Sequence, residues 1–203
     1  MKAKGFFSWV MALNVAASLL GTAGAAGDSA AGRQKFQSCL QCHGKVPGAN
    51  VNTQGPVPKL GGQHAEYIVS ALNDYAGGGR IHAGMKSIAG ALGKQDKEDI
   101  AAFIAQFELK TLSVPEGGAP TAIERKIENC RSCHGERGNS FTPYNPRLIG
   151  QDEKYLLKSL KDYKNGLRKN PTMVYVVKKL TDQELAEMAA YYSAQNDGLT
   201  EIE

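Results

Sequence analysis

The stretch Cys39-Leu40-Gln41-Cys42-His43, CLQCH, places two cysteines three positions apart and follows the second directly with a histidine. The same pattern returns as Cys130-Arg131-Ser132-Cys133-His134, CRSCH. The 203-residue chain contains no cysteines beyond these four. Whatever chemistry the first motif supports is therefore expected twice in this protein.

Three common uses of paired cysteines account poorly for this pattern. Exported chains form disulfides, and four cysteines would give two of them. A redox-active CxxC pair belongs to a thioredoxin-like βαβ unit. The pairs of a zinc ribbon lie roughly 15–20 residues apart, whereas 87 residues separate Cys42 from Cys130. None of these uses explains the histidine that follows each pair.

Covalent attachment of haem c explains the whole motif. Two thiols three apart on a helix can add to the two vinyl groups of one porphyrin, and the next histidine then lies beneath the iron. The sequence therefore predicts two haem c groups, held through the side chains Cys39, Cys42, His43, Cys130, Cys133 and His134.

The rest of the chain also repeats itself. Residues 58–63, PKLGGQ, align with residues 146–151, PRLIGQ, at an offset of 88 positions. Between positions 58 and 85, 11 of 28 residues are identical in the two copies. The two cysteine motifs stand 91 apart, so the first copy contains three extra residues. We interpret the repeat as a duplicated domain.

Each copy is predicted to be helical. In the second copy, Thr121 with Glu124 and Thr181 with Glu184 form capping boxes, and Asp152 begins a helix between them. Apolar residues follow at helical spacing, and the first copy repeats the pattern. We expect the helix that begins at Thr121 to continue to the cysteine motif. Each copy has only roughly 80 residues, a size at which a bound cofactor often completes a marginal core.

The first 26 residues have the composition of a secretory signal peptide. Lys2 and Lys4 precede an apolar run that ends in small residues, which predicts cleavage near Ala25 or Ala26. An uncleaved membrane anchor is the alternative, although the run is short for about 30 Å of hydrocarbon. The protein is therefore expected in the periplasm.

The remaining boundaries follow from composition. Residues 111–122, TLSVPEGGAPTA, are rich in proline and glycine and are predicted to be a linker. The two copies then correspond to an N-terminal domain at 27–110 and a C-terminal domain at 123–203.

The charge of the chain is nearly balanced. Without the two lysines of the signal peptide, it has 22 basic and 20 acidic residues. This balance gives no reason to expect nucleic acid as a partner.

Matched methionines are the candidates for the second axial iron ligands. After the signal peptide the chain has only Met85, Met173 and Met188. Met85 and Met173 align in the repeat, within polar sequence that we predict to be loop, and we expect them to bind the irons. Met188 lies on an apolar helical stripe and is expected in the core. His64 and His82 have no histidine counterpart in the other copy, and both are expected to be surface or capping residues. His82 lies three residues from Met85 and is the competing ligand.

Two further matched pairs are candidates for supporting roles. A ligating histidine usually donates its second ring N–H to a carbonyl, and the carbonyls of Pro58 and Pro146 can accept that bond. Both prolines can also be simple loop breakers. Arg80 and Arg168 precede the methionines and are candidates to pair with haem propionates, with solvated surface positions as the alternative.

These motifs make the chain resemble the cytochrome c4 family of dihaem cytochromes. The resemblance covers CxxCHG, P-[KR]-L-x-G-Q and the distal methionine, each present twice. It implies an all-α fold of two tandem class-I cytochrome c-like domains, related by internal duplication about a pseudo-twofold axis. A longer segment at 45–57 in the first copy is the main departure from an exact repeat.

The resemblance also implies a function. With histidine and methionine on each iron, both axial positions are filled, which suits one-electron transfer and leaves no site for a substrate. We therefore expect an electron carrier, not an enzyme. It would take electrons from a membrane-bound quinol-oxidising complex and pass them to a terminal haem–copper oxidase or another redox protein. The carrier itself is expected to be soluble, with association with the membrane as the alternative. The alternatives are a dihaem subunit of a flavocytochrome c-type dehydrogenase and a dihaem redox enzyme.

Overall fold

The computed structural model describes four stretches of the chain: 27–44, 55–109, 121–195 and 198–203. The predicted signal peptide at 1–26 lies outside these stretches, as do most of the linker at 111–122 and most of the segment at 45–57. None of the helices formed by the described residues is long and apolar enough to span a bilayer.

The described residues form ten α-helices, five in each half. The first half contains α1 (Ser29–Phe36), α2 (Leu40–His43), α3 (Ala65–Gly77), α4 (Ala83–Ala91) and α5 (Lys94–Ala105). The second half contains α6 (Ala122–Lys126), α7 (Glu128–His134), α8 (Glu153–Lys164), α9 (Pro171–Val177) and α10 (Asp182–Ser193). Within the described stretches, β-pairing is limited to isolated bridges. The predicted all-α fold is confirmed, and the two sets of helices match in order.

The predicted helix starts are present. At the start of α10, the Thr181 hydroxyl accepts from the N–H of Glu184 at 3.2 Å, and the Glu184 carboxylate accepts from the N–H of Thr181 at 2.8 Å. Thr121 makes the same capping box at α6. The Asp152 carboxylate caps α8 through the N–H of Tyr155 at 2.7 Å. These local signals fix where three helices begin.

The helix that begins at Thr121 does not continue unbroken to the cysteine motif, so that expectation is wrong. The chain leaves helical geometry at Ile127, where φ is −89° and ψ is 5°. The Ile127 side chain is fully buried and packs with Leu156 and Met188. The break separates α6 from α7, which carries the second motif.

Each half has its own small apolar core. In the first half, α1 and α5 pack together around Phe36, Phe103 and Ile104. In the second half, α6, α8 and α10 surround Ile127 and Tyr192. Neither core is large, which agrees with the expectation that another group completes it.

The C-terminal tail reaches the first half at Thr200 and Ile202. Thr200 and Gly61 exchange two backbone hydrogen bonds, at 2.9 and 3.0 Å. Ile202 is 1% exposed and lies in the core of the first half with Phe36 and Ile104. The proposed division at 27–110 and 123–203 stays a prediction, and this tail makes contacts across it.

Ile202→Ala is expected to lower the free energy of unfolding of the first half by about 2–4 kcal/mol, because it leaves a cavity in a small core. Urea unfolding followed by circular dichroism measures this. Glu201→Ala is the matched control, since Glu201 is an exposed neighbour and its loss should change stability by less than about 0.5 kcal/mol. Equal stability of the two variants would show that the tail does not support the core.

A buried carboxylate joins α1 to α5. Asp99 accepts hydrogen bonds from Lys35 Nζ at 2.6 Å, from Gln95 Nε2 at 2.8 Å and from the N–H of Asp28 at 2.8 Å. These bonds, led by that of Lys35, lower the pKa of Asp99 from 3.8 to about 2. In the second half Lys126 and Glu187 form the equivalent ion pair at 2.7 Å.

The lowered pKa of Asp99 predicts a pH dependence of stability. A carboxyl with a depressed pKa in the folded state stabilises the fold fully above its unfolded pKa of 3.8. That stabilisation is lost as the pH falls through about 2. The difference in melting temperature between wild type and Asp99→Asn should therefore be largest above pH 4 and vanish near pH 2.

Glu187→Gln is the matched control for this pH dependence. The Glu187 side chain is 37% exposed, against 4% for Asp99, so solvent screens its ion pair and the effect should be smaller. A difference for Asp99→Asn that stays constant from pH 2 to pH 6 would contradict the assignment.

The repeated P-[KR]-L-x-G-Q motif requires its glycine. Gly62 and Gly150 have φ values of +83° and +67°, in the left-handed region that side chains disfavour. A Cβ on Gly62 would also lie 2.8 Å from Leu109 Cδ2 and 3.1 Å from the carbonyl oxygen of Phe107. The turn at each glycine directs the following glutamine toward the other half.

Candidate functional site

A cavity of about 640 Å³ extends between the two halves. Residues of both repeats line it, and so do all eight predicted haem-binding and iron-binding residues. These are Cys39, Cys42, His43, Met85, Cys130, Cys133, His134 and Met173. Positions that lie up to 134 residues apart in the sequence are thus brought to one space.

The motif histidines are held by the loop prolines. Nδ1 of His43 lies 3.3 Å from the carbonyl oxygen of Pro58, and Nδ1 of His134 lies 2.9 Å from that of Pro146. A carbonyl oxygen only accepts, so each Nδ1 carries the proton, and Nε2 keeps its lone pair. Burial lowers the pKa of both histidines, which keeps them neutral. Each ring is in the form that binds a metal.

The four cysteines lie within or next to two short helices. Cys39 is the residue before α2 and Cys42 lies within it, while Cys130 and Cys133 both lie within α7. No disulfide joins any of these thiols. Burial raises the pKa of the Cys39 and Cys130 thiols. Cys42 and Cys133 are exposed along the same cavity.

The matched methionines lie in helices, so the prediction that they occupy loops is wrong. Met85 is in the first turn of α4 and Met173 is in the first turn of α9. The N–H of Met85 donates to Nδ1 of His82 at 3.2 Å, and the N–H of Met173 donates to Oδ1 of Asn170 at 3.0 Å. His82 and Asn170 are therefore equivalent N-cap residues. Pro171 at the first helical position was a sequence signal for α9.

This cap bears on the competition between His82 and Met85. Because Nδ1 of His82 accepts a hydrogen bond, the ring proton of the neutral imidazole is on Nε2. That nitrogen therefore has no lone pair available to a metal, whereas the thioether sulfur of Met85 carries lone pairs and no proton. The capping role expected for His82 agrees with this geometry.

Arg80 is buried at the contact between the halves. It is 5% exposed, and its guanidinium lies over the rings of Tyr67 and Tyr75, at 5.2 and 5.6 Å from their centroids. Its Nε donates to the Asp74 carboxylate at 3.3 Å. The alternative that Arg80 is a solvated surface residue is therefore wrong.

Arg168 repeats this arrangement in the second half. It is 6% exposed and lies 5.3 and 5.6 Å from the ring centroids of Tyr155 and Tyr163. It pairs with the Asp162 carboxylate at 3.8 Å. Arg168 also forms an antiparallel backbone bridge with Arg80, so the two arginines lie side by side at the pseudo-twofold axis. The repeated aspartates and tyrosines were visible in the sequence, but nothing there assigned them to this contact.

Positive charge at the contact between the halves acts most strongly on Tyr155. Asp162 is shared, because Lys158 Nζ also binds its carboxylate at 2.6 Å. Burial alone would raise the pKa of Tyr155, yet the charges of Arg168 and Arg80 outweigh burial and lower it to about 8. Such an environment suits an anionic group in the cavity.

His64 lies apart from the cavity. It occupies the N-cap position of α3 without a side-chain capping bond. Its Nε2 donates to the carbonyl of Ser140 in the second half at 2.8 Å. His64 therefore joins the two halves.

The residues around the cavity fit two haem c groups. Each half supplies two thiols for attachment, a neutral histidine and a methionine thioether as axial ligands. The buried guanidinium groups are suited to carboxylates such as haem propionates. Within the described stretches, no group of three or more His, Cys, Asp or Glu is placed to hold a metal ion.

Known proteins resemble this chain across both halves. A family model for cytochrome c matches residues 125–194. Cytochrome c4 of Pseudomonas aeruginosa is 32% identical over 196 residues, which covers 90% of this chain and 96% of that protein. The thiosulfate dehydrogenase electron acceptor of Stutzerimonas stutzeri is 29% identical over 170 residues, with coverage of 77% and 78%.

A solved structure extends this similarity to the fold. The crystal structure of reduced recombinant cytochrome c4 from Pseudomonas stutzeri has a TM-score of 0.65 and 28% sequence identity. The match covers 86% of this chain and 100% of that structure. The structural similarity therefore includes the first half, which lies outside the residues matched by the family model.

Proposed function

Since this chain belongs to the cytochrome c4 family and, as a dihaem cytochrome, carries electrons, we propose that it relays them from a membrane-bound quinol-oxidising complex to a terminal haem–copper oxidase. The observation that carries this proposal is the single cavity in which both cysteine motifs and both matched methionines lie. Two covalent haem c groups held in one cavity would give electrons a path between the halves.

The proposed axial ligands are His43 and Met85 for the first iron, and His134 and Met173 for the second. Each bound haem supplies a one-electron couple of its iron. The neutral histidines would supply Nε2 and the methionines would supply their thioether sulfurs, which would leave oxygen and substrates no open coordination site. Such a closed site supports electron transfer and disfavours catalysis at the iron.

Two pairs of residues are proposed to support the haem groups. The carbonyls of Pro58 and Pro146 orient the ligating histidines through the Nδ1 hydrogen bonds. Arg80 and Arg168, buried and lining the cavity, are proposed to pair with the propionates. Their stacking on tyrosine rings limits their motion and holds the positive charge in place.

Export to the periplasm is part of the same proposal. The N-terminal segment has the composition of a signal peptide, and haem c is attached outside the cytoplasm in bacteria. N-terminal sequencing of the mature protein should begin at Ala26 or Gly27. A mature chain that retains Met1 would favour the membrane-anchored alternative.

A second candidate function is to accept electrons directly from a dehydrogenase. It is favoured by the 29% identity to the thiosulfate dehydrogenase electron acceptor. In that role the chain would remain an electron-transfer protein, with a different donor. A stable subunit of a flavocytochrome c-type enzyme would instead copurify with a flavoprotein.

Stopped-flow reduction of the oxidised holoprotein tests these routes. One mixture contains a quinol and a purified quinol-oxidising complex, and the other contains thiosulfate and a thiosulfate dehydrogenase. We expect fast reduction in the first mixture, followed by cyanide-sensitive reoxidation by membranes that contain a haem–copper oxidase. Fast reduction in the second mixture alone would overturn the quinol route in favour of the dehydrogenase.

A further inference from the structure

Two buried glutamines link each half of the molecule to the other. Gln63 and Gln151 occupy equivalent positions in the repeat and are 3% and 4% exposed. The Gln151 side chain reaches from the second half to Lys59 in the first. Its Oε1 accepts from the N–H of Lys59 at 2.8 Å, and its Nε2 donates to the Lys59 carbonyl at 2.9 Å.

Gln63 makes the reciprocal contact with Arg147 of the second half. Its Oε1 accepts from the N–H of Arg147 at 2.9 Å, and its Nε2 donates to the Arg147 carbonyl at 3.0 Å. Each Oε1 also accepts an N–H from the next residue in its own chain segment, His64 at 3.1 Å and Asp152 at 2.9 Å. Both amides are therefore held by three hydrogen bonds, which fixes their orientation.

The peptide units bound by these glutamines also support the proposed iron ligands. The carbonyl of Pro58 and the N–H of Lys59 belong to one peptide unit. Its carbonyl accepts from His43 Nδ1, and its N–H donates to Gln151 of the opposite half. The second half repeats this chain of bonds through His134, Pro146, Arg147 and Gln63.

We propose that Gln151 is a positioning residue for His43 and that Gln63 is a positioning residue for His134, each acting across the contact between the halves. This inference rests on the histidine ligation proposed above. A peptide unit that donates through its N–H has a more polarised carbonyl, which accepts more strongly. The stronger bond at Nδ1 makes the imidazole a more basic ligand and fixes its ring plane.

The direction of the effect follows from this chain of bonds. A more basic imidazole stabilises ferric iron relative to ferrous iron. Removing Gln151 weakens the bond from His43 and should raise the midpoint potential of the first haem, although Gln151 belongs to the second half. Removing Gln63 should raise the potential of the second haem in the same way.

Gln151→Met and Gln63→Met test this inference in the holoprotein, since methionine keeps the volume and removes both amide bonds. His64→Phe is the matched control. It removes another contact between the halves, the bond to Ser140, and touches neither peptide unit. NMR spectra of the reduced protein report the Nδ1–H of each haem-linked histidine, and a redox titration followed by NMR reports the potential of each haem.

The expected result is a crossed pattern. Gln151→Met should speed solvent exchange of the His43 Nδ1–H by roughly two- to tenfold and raise the potential of the first haem, while His134 and the second haem stay unchanged. Gln63→Met should do the reverse, and His64→Phe should move neither histidine signal. Gln151→Glu retains an acceptor oxygen for Lys59 and should keep the His43 exchange rate close to that of wild type.

The inference is overturned if each glutamine variant affects the haem of its own half, if both variants affect both haems equally, or if neither moves a histidine signal. If Gln151→Met does not fold, Gln63→Met applies the same test to His134. Absence of haem contacts from both Nδ1–H signals in the wild type would show that the proposed ligation itself fails. Wild-type signals without the crossed pattern would show that only the positioning role fails.

Discussion

Met85→Ala is expected to remove the ferric methionine–haem charge-transfer band from one of the two haems, which halves the intensity of the band. The reason is that the Met85 thioether is the proposed sixth ligand of the first iron, and alanine offers no replacement. The reduced variant should also bind carbon monoxide at that haem. Visible absorption spectra of the ferric and reduced proteins measure both effects.

Two control variants separate ligation from stability. His82→Ala should keep the full band and cost about 1 kcal/mol of stability, because His82 caps α4 through the N–H of Met85. Met188→Ala should also keep the band and cost about 2–4 kcal/mol, because Met188 is a buried core residue. A band that survives in Met85→Ala and disappears in His82→Ala would reverse the assignment of the ligand.

The double variant Cys130→Ser, Cys133→Ser is expected to carry one covalent haem in place of two. Without its thioether bonds the second haem would not be retained under denaturing conditions, and the second half would lose its covalent link to the group that completes its small core. Haem absorbance per chain should fall by half, and the second half should unfold at a lower temperature. Intact mass, the alkaline pyridine spectrum and thermal unfolding measure these changes.

Cys39→Ser with Cys42→Ser is the reciprocal control, and it should remove the other haem and leave the second. The two double variants should therefore have equal haem content and complementary NMR spectra. Retention of two covalent haems in either variant would contradict the attachment proposed for that motif. Loss of both haems from one variant would show that the halves do not mature independently.

Local features of the fold could be predicted because their causes are local. The hydrogen bonds of a capping box join residues three apart, so Thr121 and Thr181 identified helix starts directly from the sequence. Helical spacing likewise placed Met188 in the core. The loop predicted at Met173 is wrong because Asn170 caps a helix there and Pro171 occupies its first position.

Features that depend on how the halves meet could not be predicted in this way. The repeat showed that Arg80 matches Arg168, but whether an arginine is buried depends on the tyrosines that the other elements place around it. The return of Ile202 to the first core involves residues that lie more than 90 positions apart. No pattern within one helix or one repeat records such a contact.

The contacts of the glutamines illustrate the same limit. Within the repeat, Gln63 and Gln151 look like two copies of one turn residue. Only the three-dimensional arrangement shows that each amide bonds to the peptide unit beside the other half's histidine. Duplication explains why both contacts exist, because a pseudo-twofold axis can repeat a contact between equivalent positions of the two halves.

Binding of carbon monoxide to the reduced wild-type protein at neutral pH tests most directly whether both irons are closed to external ligands. We predict no rapid formation of a carbon monoxide adduct at either haem, because the proposed methionine ligands would fill each sixth position. Rapid formation of an adduct at one haem would contradict an electron carrier with two closed sites and would favour a dihaem redox enzyme.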